Sequence, residues 1–463
     1  MRKKLPFIAI ALALAVPPTV AGFTDLARVH DVYSTMKRSR VYWGATSHHL
    51  PNTALAISDS GALLAWGLRA HGLPGNGQEF VATTDFPTQI WLPSADRPAD
   101  DRRKAIKVAG VGIDDDASDL QHVGLAALSD DGLVYTWGGT NEYHMMGRTS
   151  HDQNQLYWHP GVVEIPGYVV DLVSTAGVFL ALTADGDLYT WGWPQGYGVT
   201  GQSATNLDAS SGAPKRILGK VHSIGAGLWN AWAIRGDYDP ADPKSGVLWW
   251  GRADAGWDPS GDGLARTVGA PVQSKELSKY ATYGCDAVGV VAGSVFDECA
   301  IQQLSGHAYG SQMRLLDGTV LTWGDASHHG TGRRGSSSKP TELTLPEPIK
   351  AVEHTRDYVF LVGFSNAAYL YGWYQTSYGP HPSTGKASRD NLPAPVEFTA
   401  LGRDWVGVGL HGNSGHVRLL DGSWISWGGS VGAIPGNIFS IVPTAATKNP
   451  AGLTHWTPPP CED

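Results

Sequence analysis

Charge is scarce in this chain: Asp, Glu, Lys and Arg make up 17% of its 463 residues. Acidic groups outnumber basic ones 43 to 34, for a formal charge of −9. Nucleic acid is therefore not an expected partner, because a phosphate backbone needs clustered Lys and Arg. Cysteine is scarcer still, at three residues, with no Cys-x-x-Cys and no Cys/His spacing suited to zinc. No metal site and no cofactor is expected on that basis. After the first residues no apolar run approaches bilayer length, so the mature chain has no expected membrane span. Runs with apolar residues three to four apart are mostly broken by Gly or Pro, which leaves little for helices to build on. A phosphate loop and a His-Glu-x-x-His helix are also missing.

What is abundant is glycine, 58 residues, and tryptophan, 18. That pairing suits a β-rich protein with many turns and with aromatics filling the space between sheets. The N-terminus has Arg2, Lys3 and Lys4, then an apolar centre over 5–16. Small residues follow at Thr19 and Ala21, or at Val20 and Gly22. These three features together predict a secretory signal peptide over 1–22, with Phe23 near the mature start and a secreted or periplasmic address. A buried strand or a retained anchor would explain each feature singly but not their combination. Without the leader's three cations the balance is 31 basic to 43 acidic, or −12; this favours solubility and would suit a basic protein partner. In an exported chain Cys285 and Cys299, 14 apart, read as a disulfide clamping one long insertion, with two free buried thiols as the alternative. Cys461 is left over.

Internal repetition organises the rest. A turn, an alternating strand and a Trp-Gly stop recur as SGALLAWG, DGLVYTWG, DGDLYTWG, SGVLWWG, DGTVLTWG, the worn AAYLYG, and DGSWISWG. The marker aromatics are Trp66, Trp137, Trp191, Trp250, Trp323, Tyr371 and Trp427, at intervals of 71, 54, 59, 73, 48 and 56. A second apolar strand precedes each turn, making a β-hairpin. Shorter strands opened by Pro or Gly lie further upstream. The expected fold is all-β: a seven-bladed β-propeller of repeats of about 60 residues, with four short strands per blade. It would occupy 23–448, followed by an irregular C-terminal tail over 449–463. A lone blade cannot cover its own faces; stacking blades around an axis covers them, and joining last to first removes the exposed edges. Closure is expected from a strand around 439–443 entering the blade completed by 41–67. The two long intervals predict rim insertions, one in 98–121 and one containing Cys285 and Cys299.

At the Trp-Gly stop the repeats resemble the regulator of chromosome condensation repeat. Its pattern runs Gly-x-x-His-x-x-Ala-Leu, then Asp-Gly, a strand, Trp-Gly, and Asn-x-x-Gly-Gln-Leu-Gly. Trp66, Gly67, Gly72 and Gly75 keep that spacing, and the second repeat keeps Asn141 and Gly147 with one extra residue. Later repeats keep Gly198, Gly201, Gly256, Gly332 and Gly436, so the resemblance spans roughly 40–436. The repeat's His is replaced by Thr53, Gly124, Val178, Gly310 and Ser414, and its Gln-Leu pair is nowhere intact. The repeat containing Tyr371 lacks both the Asp-Gly turn and the Trp. The resemblance implies a propeller. The founding member's nuclear nucleotide exchange on chromatin does not suit an exported acidic chain. In circumstance the chain is similar to the secreted propeller inhibitor of β-lactamases, which grips an enzyme through rim aromatics.

The marker aromatics recur at one place per blade, as wedges between neighbours would. The loop after each stop carries His71, Tyr143, His144, Trp193, Tyr197, Trp257, His328, His329, Trp373 and Tyr378. Equivalent blades would gather these on one rim, as candidate contacts for a protein; the alternative is that they pack under their own loops. His71, His144, His328 and His329 come from different blades and lack local ligand spacing. Asp114, Asp115, Asp116 and Asp119 lack the spaced calcium pattern and read as a solvated loop. Ser430 lies in a Gly-x-Ser-x-Gly string, but no helix follows the strand as a nucleophile elbow requires. The expected function is therefore non-enzymatic binding of a protein partner through one rim. A lectin stacking sugars on Trp193, Trp257 or Trp373 is the first alternative, and an enzyme with a site at the central channel the second.

Overall fold

The computed structural model describes most residues between 41 and 456. Residues 1–40, 43–52, 113–122, 149–156, 282–300, 374–390, 429–446, 449–453 and 457–463 lie outside the description, as do shorter loop stretches such as 71–74, 140–143, 254–257 and 326–329. Strands recur in fours. The first repeat has β1 (Val41–Tyr42), β2 (Thr53–Ile57), β3 (Leu63–Ala70) and β4 (Phe80–Ile90); the second has β5 (Ala105–Gly112), β6 (Val123–Ser129), β7 (Val134–Gly138) and β8 (Gly161–Val163). The third has β9 (Val169–Ser174), β10 (Val178–Thr183), β11 (Leu188–Gly192) and β12 (Ser211–Leu218). The fourth has β13 (Ser223–Ala226), β14 (Asn230–Arg235), β15 (Gly246–Gly251) and β16 (Val268–Gln273). The fifth has β17 (Ile301–His307), β18 (Gly310–Leu315), β19 (Val320–Gly324) and β20 (Ser337–Glu342). The sixth has β21 (Ile349–His354), β22 (Tyr358–Gly363), β23 (Ala368–Gly372) and β24 (Leu392–Glu397). The last has β25 (Trp405–His411), β26 (Ser414–Leu419), β27 (Trp424–Gly428), β28 (Thr447–Lys448) and β29 (Thr454–Trp456).

Within the first six groups the strands pair in chain order as an antiparallel meander, and in the last the order is β25-β26-β27-β29-β28. The fourth and fifth groups merge into one eight-stranded sheet, joined among the described residues by the parallel pair Ala226–Ser305 between β13 and β17. The first strands β1, β5, β9, β13, β17, β21 and β25 each lie against the next, and β25 lies against β1. Sheets set around an axis with their first strands innermost are the architecture of a propeller.

The hairpin turns explain one end of this assembly. In the third repeat Thr183 N–H donates to Asp187 O and Gly186 N–H to Thr183 O, both at 2.9 Å, with Gly186 at φ +80°. This is a type I turn closed by a left-handed residue, where glycine carries no penalty. The turn's glycine also meets the following repeat: Gly132 O accepts from Val169 N–H (3.1 Å), Gly186 O from Val221 N–H (2.9 Å) and Gly318 O from Ile349 N–H (2.9 Å). In the worn sixth repeat Asn366 takes the left-handed place at φ +66°, and its N–H donates to Gly363 O at 3.0 Å. The Asp-Gly letters are gone but the turn is kept, because Asn tolerates this region and uses its side chain. Its Nδ2 donates to Arg403 O (2.9 Å) and Trp405 O (2.8 Å) of the next repeat.

The Trp-Gly stop joins repeats at the other end. The indole Nε1 of Trp191 donates to Met145 O (3.1 Å), that of Trp250 to Val199 O (2.7 Å) and that of Trp323 to Asp258 O (2.8 Å), each in the preceding repeat's loop. The neighbouring carbonyl is taken from within the repeat: Thr136 Oγ1 donates to Met146 O and Thr190 Oγ1 to Thr200 O, both at 2.6 Å. The fourth repeat has Trp249 in place of that Thr, and Trp232 Nε1 donates to Pro259 O (2.9 Å) in its stead. The loop glycine must be small as well as left-handed. A Cβ on Gly147 (φ +62°) would lie 2.7 Å from the Trp191 ring, and one on Gly201 (φ +67°) 3.0 Å from Trp250. Trp137, Trp191, Trp250, Trp323, Tyr371 and Trp427 are all buried, and Trp66 holds the matching place in β3.

Two expectations change. The segment 98–121 is not a single insertion, because Ala105–Gly112 within it is β5, the innermost strand of the second repeat. The tail expected to be irregular contributes β29, which pairs antiparallel with β27 and occupies the fourth-strand place of the last group, satisfying an edge that would otherwise be open. The first group takes all four of its strands from 41–90, while the closing strand expected at 439–443 lies outside the described residues. The leader, Cys285, Cys299, Cys461, the Asp114–Asp116 and Asp119 loop and Ser430 lie outside them as well. Among the described residues no helix is long and apolar enough to cross a membrane.

Candidate functional site

The loop following Trp191-Gly192 shows how this rim is built. Trp193 N–H donates to Gly177 O (2.9 Å), returning the chain to the inner turn of its own repeat. Tyr197 N–H then donates to Pro194 O (2.9 Å), and Gly201 N–H to Gly198 O (2.9 Å). Gly196, Gly198 and Gly201 are all left-handed, which is why this loop needs three glycines. The loop rests on the next repeat: Ser203 N–H donates to Gly269 O of β16 (3.0 Å), and a Cβ on Gly198 would lie 2.6 Å from Gly269 Cα. Its shape is thus set by two repeats together.

That seating brings Tyr197 against residues of the fourth repeat. The Tyr197 and Trp229 rings are 4.9 Å apart and tilted by 55°, and Arg252 Cζ lies 4.8 Å from the Tyr197 centroid. Arg252 N–H donates to Trp229 O (2.8 Å), so guanidinium and indole are held by one backbone bond. All three side chains are half-buried. A cation on an aromatic face beside a second ring is a rigid, amphipathic contact surface, which costs little side-chain entropy on binding.

The other candidates separate. Trp193 is half-buried and packs against the buried cluster that includes Phe179, Trp191 and Met145. His144 is half-buried and left-handed (φ +60°), with its ring against Gly212 of β12. Trp373 is half-buried, and its N–H donates to Asp357 O (2.8 Å). His71, Tyr143, Trp257, His328, His329 and Tyr378 lie outside the described residues. Sequence reasoning missed Trp229 and Arg252. Arg252 follows a Trp-Gly stop directly, as Trp193 and Trp373 follow theirs, and that position was the available signal. Trp229 sits in an inner turn, on the same rim but outside the loops that follow the Trp-Gly stops.

No family model matches the chain. Human HERC2, an E3 ubiquitin-protein ligase, is 26% identical over 355 residues, 75% of this chain and 6% of that protein. The chain thus spans only a small part of the length of HERC2. RUG3 of Arabidopsis thaliana, a mitochondrial RCC1 domain-containing protein, is 24% identical over 391 residues, 79% of this chain and 77% of RUG3. Yeast RCC1 (Prp20), solved bound to Kap60, aligns over 90% of this chain and 92% of its own, with 15% identity and a TM-score of 0.55. This chain is an RCC1-like repeat propeller. Human WBSCR16 shares the fold at a TM-score of 0.57 with 18% identity, covering 81% and 84% of the two chains.

In this RCC1-like propeller, Gln202 stands where the repeat has its loop Gln, and its Nε2 donates to Thr190 O (3.1 Å). Arg148 and Arg333 take the same place. Arg148 Nη2 donates to Thr136 O (3.0 Å), and Arg333 Nη2 donates to Thr322 O. Burial pushes both guanidiniums below their ordinary pKa. Their cation caps a strand carbonyl, so these residues serve the loop's shape.

Proposed function

We propose that the chain is an exported, non-enzymatic propeller of seven blades that binds a protein partner through the rim of Trp-Gly loops. The eight-stranded sheet counts as two blades in this reading, because among the described residues a single parallel pair joins its halves. The contact of β25 with β1 supports a closed ring. The observation that carries the binding reading is the half-buried Tyr197–Trp229–Arg252 cluster, assembled from two repeats on loops fixed at both ends. Tyr, Trp and Arg are the residue types that dominate binding energy at protein interfaces. The solved relative Prp20p is described with its binding to Gsp1p and histones, and a protein partner is the analogous class here. Export rests on the basic and apolar start of the chain, with Cys285 and Cys299 paired.

The test is a pull-down from envelope or culture fluid with the full chain and with Tyr197→Ala, Trp229→Ala and Arg252→Ala variants. The partner's affinity should fall by 2 kcal/mol or more, about 30-fold, at one of these positions at least, with folding unchanged. Recovery of no partner, together with measurable turnover of a substrate, would sink the reading. Binding on a glycan array that disappears on Trp193→Ala or Trp373→Ala would favour the lectin instead.

A further inference from the structure

The opposite rim carries a second surface. In the fifth, sixth and last repeats the hairpin turns share one hydrogen-bond pattern, in which Leu315, Gly363 and Leu419 N–H donate to Thr319, Ala367 and Ser423 O at 2.9, 2.8 and 2.7 Å. The residue after each of these is therefore at an equivalent place. Those residues are Leu316, Phe364 and Leu420, and they are 49%, 60% and 69% exposed, the three highest values for large apolar side chains among the described residues. The second and third repeats have Asp130 and Ala184 in the same turn position, with the same bonds. The turn thus accepts polar or small residues, and the fold has no need of an apolar one there. Single exposed apolar residues are ordinary, but here three stand at matching places of successive repeats on one rim.

The surroundings are acidic. Asp317 and Asp421 follow Leu316 and Leu420 directly, and both are exposed, as is Asp404. Beside Phe364, Glu347 Oε2 accepts from Ser365 N–H (2.7 Å). The cations of this sector are engaged: Arg403 Nη2 donates to Glu397 Oε1 (2.9 Å), and Lys350 donates to Asn366 Oδ1. Packed sheets lie about 10 Å apart, so the arc runs about 20 Å, the length of a helix of about 14 residues.

We propose that the Leu316–Phe364–Leu420 arc docks a basic amphipathic helix of a protein partner. Apolar side chains on one helix face would cover the three turns, and Lys or Arg flanking that face would meet Asp317, Asp404 and Asp421. This surface lies at the far end of the strands from the Tyr197 cluster, so it is independent of the reading above.

The test uses the full chain and the variant Leu316→Asp/Phe364→Ala/Leu420→Asp, whose new residues are those the second and third repeats already use in this turn. Two labelled probes are titrated by fluorescence anisotropy: a 14-residue amphipathic Leu/Lys peptide and its Leu/Glu counterpart. The Leu/Lys peptide should bind, weaken with added salt, and lose at least about tenfold in affinity on the triple variant. A Tyr197→Ala chain should bind it as the parent does. Equal binding to parent and triple variant, or no binding of the Leu/Lys peptide, would overturn the proposal. So would preference for the Leu/Glu peptide, or a parent dimer that the triple variant abolishes, which would assign the arc to a second copy of the chain.

Discussion

Trp191 does three things with one side chain. It fills the space beneath its repeat, stacks on Phe179 (5.4 Å, 27°), and donates to Met145 O across the junction with the preceding repeat. Trp191→Phe would keep most of the stacking and leave the buried Met145 carbonyl unpaired, for a loss of about 1–3 kcal/mol. Trp191→Ala would add a cavity and cost about 3–5 kcal/mol. Urea denaturation of the two variants checks the order, and a Phe variant as stable as the parent would remove the hydrogen bond from the account. The buried role of the marker aromatics was legible from their recurrence at one place per repeat. Their hydrogen-bond acceptors were not, since Met145, Val199 and Asp258 share no residue type and accept only through a backbone carbonyl. The same holds for Trp229, whose neighbour Tyr197 is more than thirty positions away and in another repeat.

At the level of the element, the hairpin turn is the part that the sequence states most openly and once disguises. Asp-Gly reads as a hairpin turn, and Gly132, Gly186 and Gly318 take the left-handed place in it with φ of +77°, +80° and +86°. In the worn repeat the letters fail but the physics does not, because Asn366 accepts the same φ and binds Arg403 O and Trp405 O besides. Asn366→Gly should keep the turn and lose those bonds, costing about 1 kcal/mol, while Asn366→Leu should lose both and cost about 2–4 kcal/mol. Thermal melts give the comparison; a Gly variant more stable than the parent would show that the bonds to the next repeat contribute nothing. Two elements differ from the sequence reading. β5 lies in the stretch 98–121 that reads as an insertion by interval length alone, and β29 in the stretch that reads as an irregular tail. β29, three residues long, has little pattern of its own and exists because β27 offers unpaired backbone groups.

For the whole molecule, acid should be the weak side. Arg103 hydrogen-bonds Asp96 and lowers its carboxyl pKa; burial would raise that of Asp131, but Ser129, Arg103 and Arg97 outweigh it and hold it below its ordinary 3.8. Burial likewise opposes Ser365 and Tyr369 at Glu347, and the hydrogen bonds win. These carboxylates stabilise the fold above their ordinary range, and that contribution is lost as pH falls through their lowered folded values. Burial pushes His354 below its ordinary 6.5, so the unfolded chain takes up that proton first and stability begins to fall as pH drops below about 6.5. Asp262, raised by burial, works in the opposite direction. Denaturation between pH 8 and 3 should therefore show stability falling in two stages, and His354→Gln should flatten the upper one; a fold that gains stability on acidification would contradict this. The sequence by itself determined the repeat, its turns, its glycines and its buried aromatics, because each depends on backbone conformation or burial within some ten residues. The tertiary structure alone decided which loop lies on which neighbour: Tyr197 meets Trp229 and Arg252 at one end, and Leu316, Phe364 and Leu420 occupy equivalent exposed turns at the other. Those placements arise between repeats, where chain distance has no bearing on spatial distance.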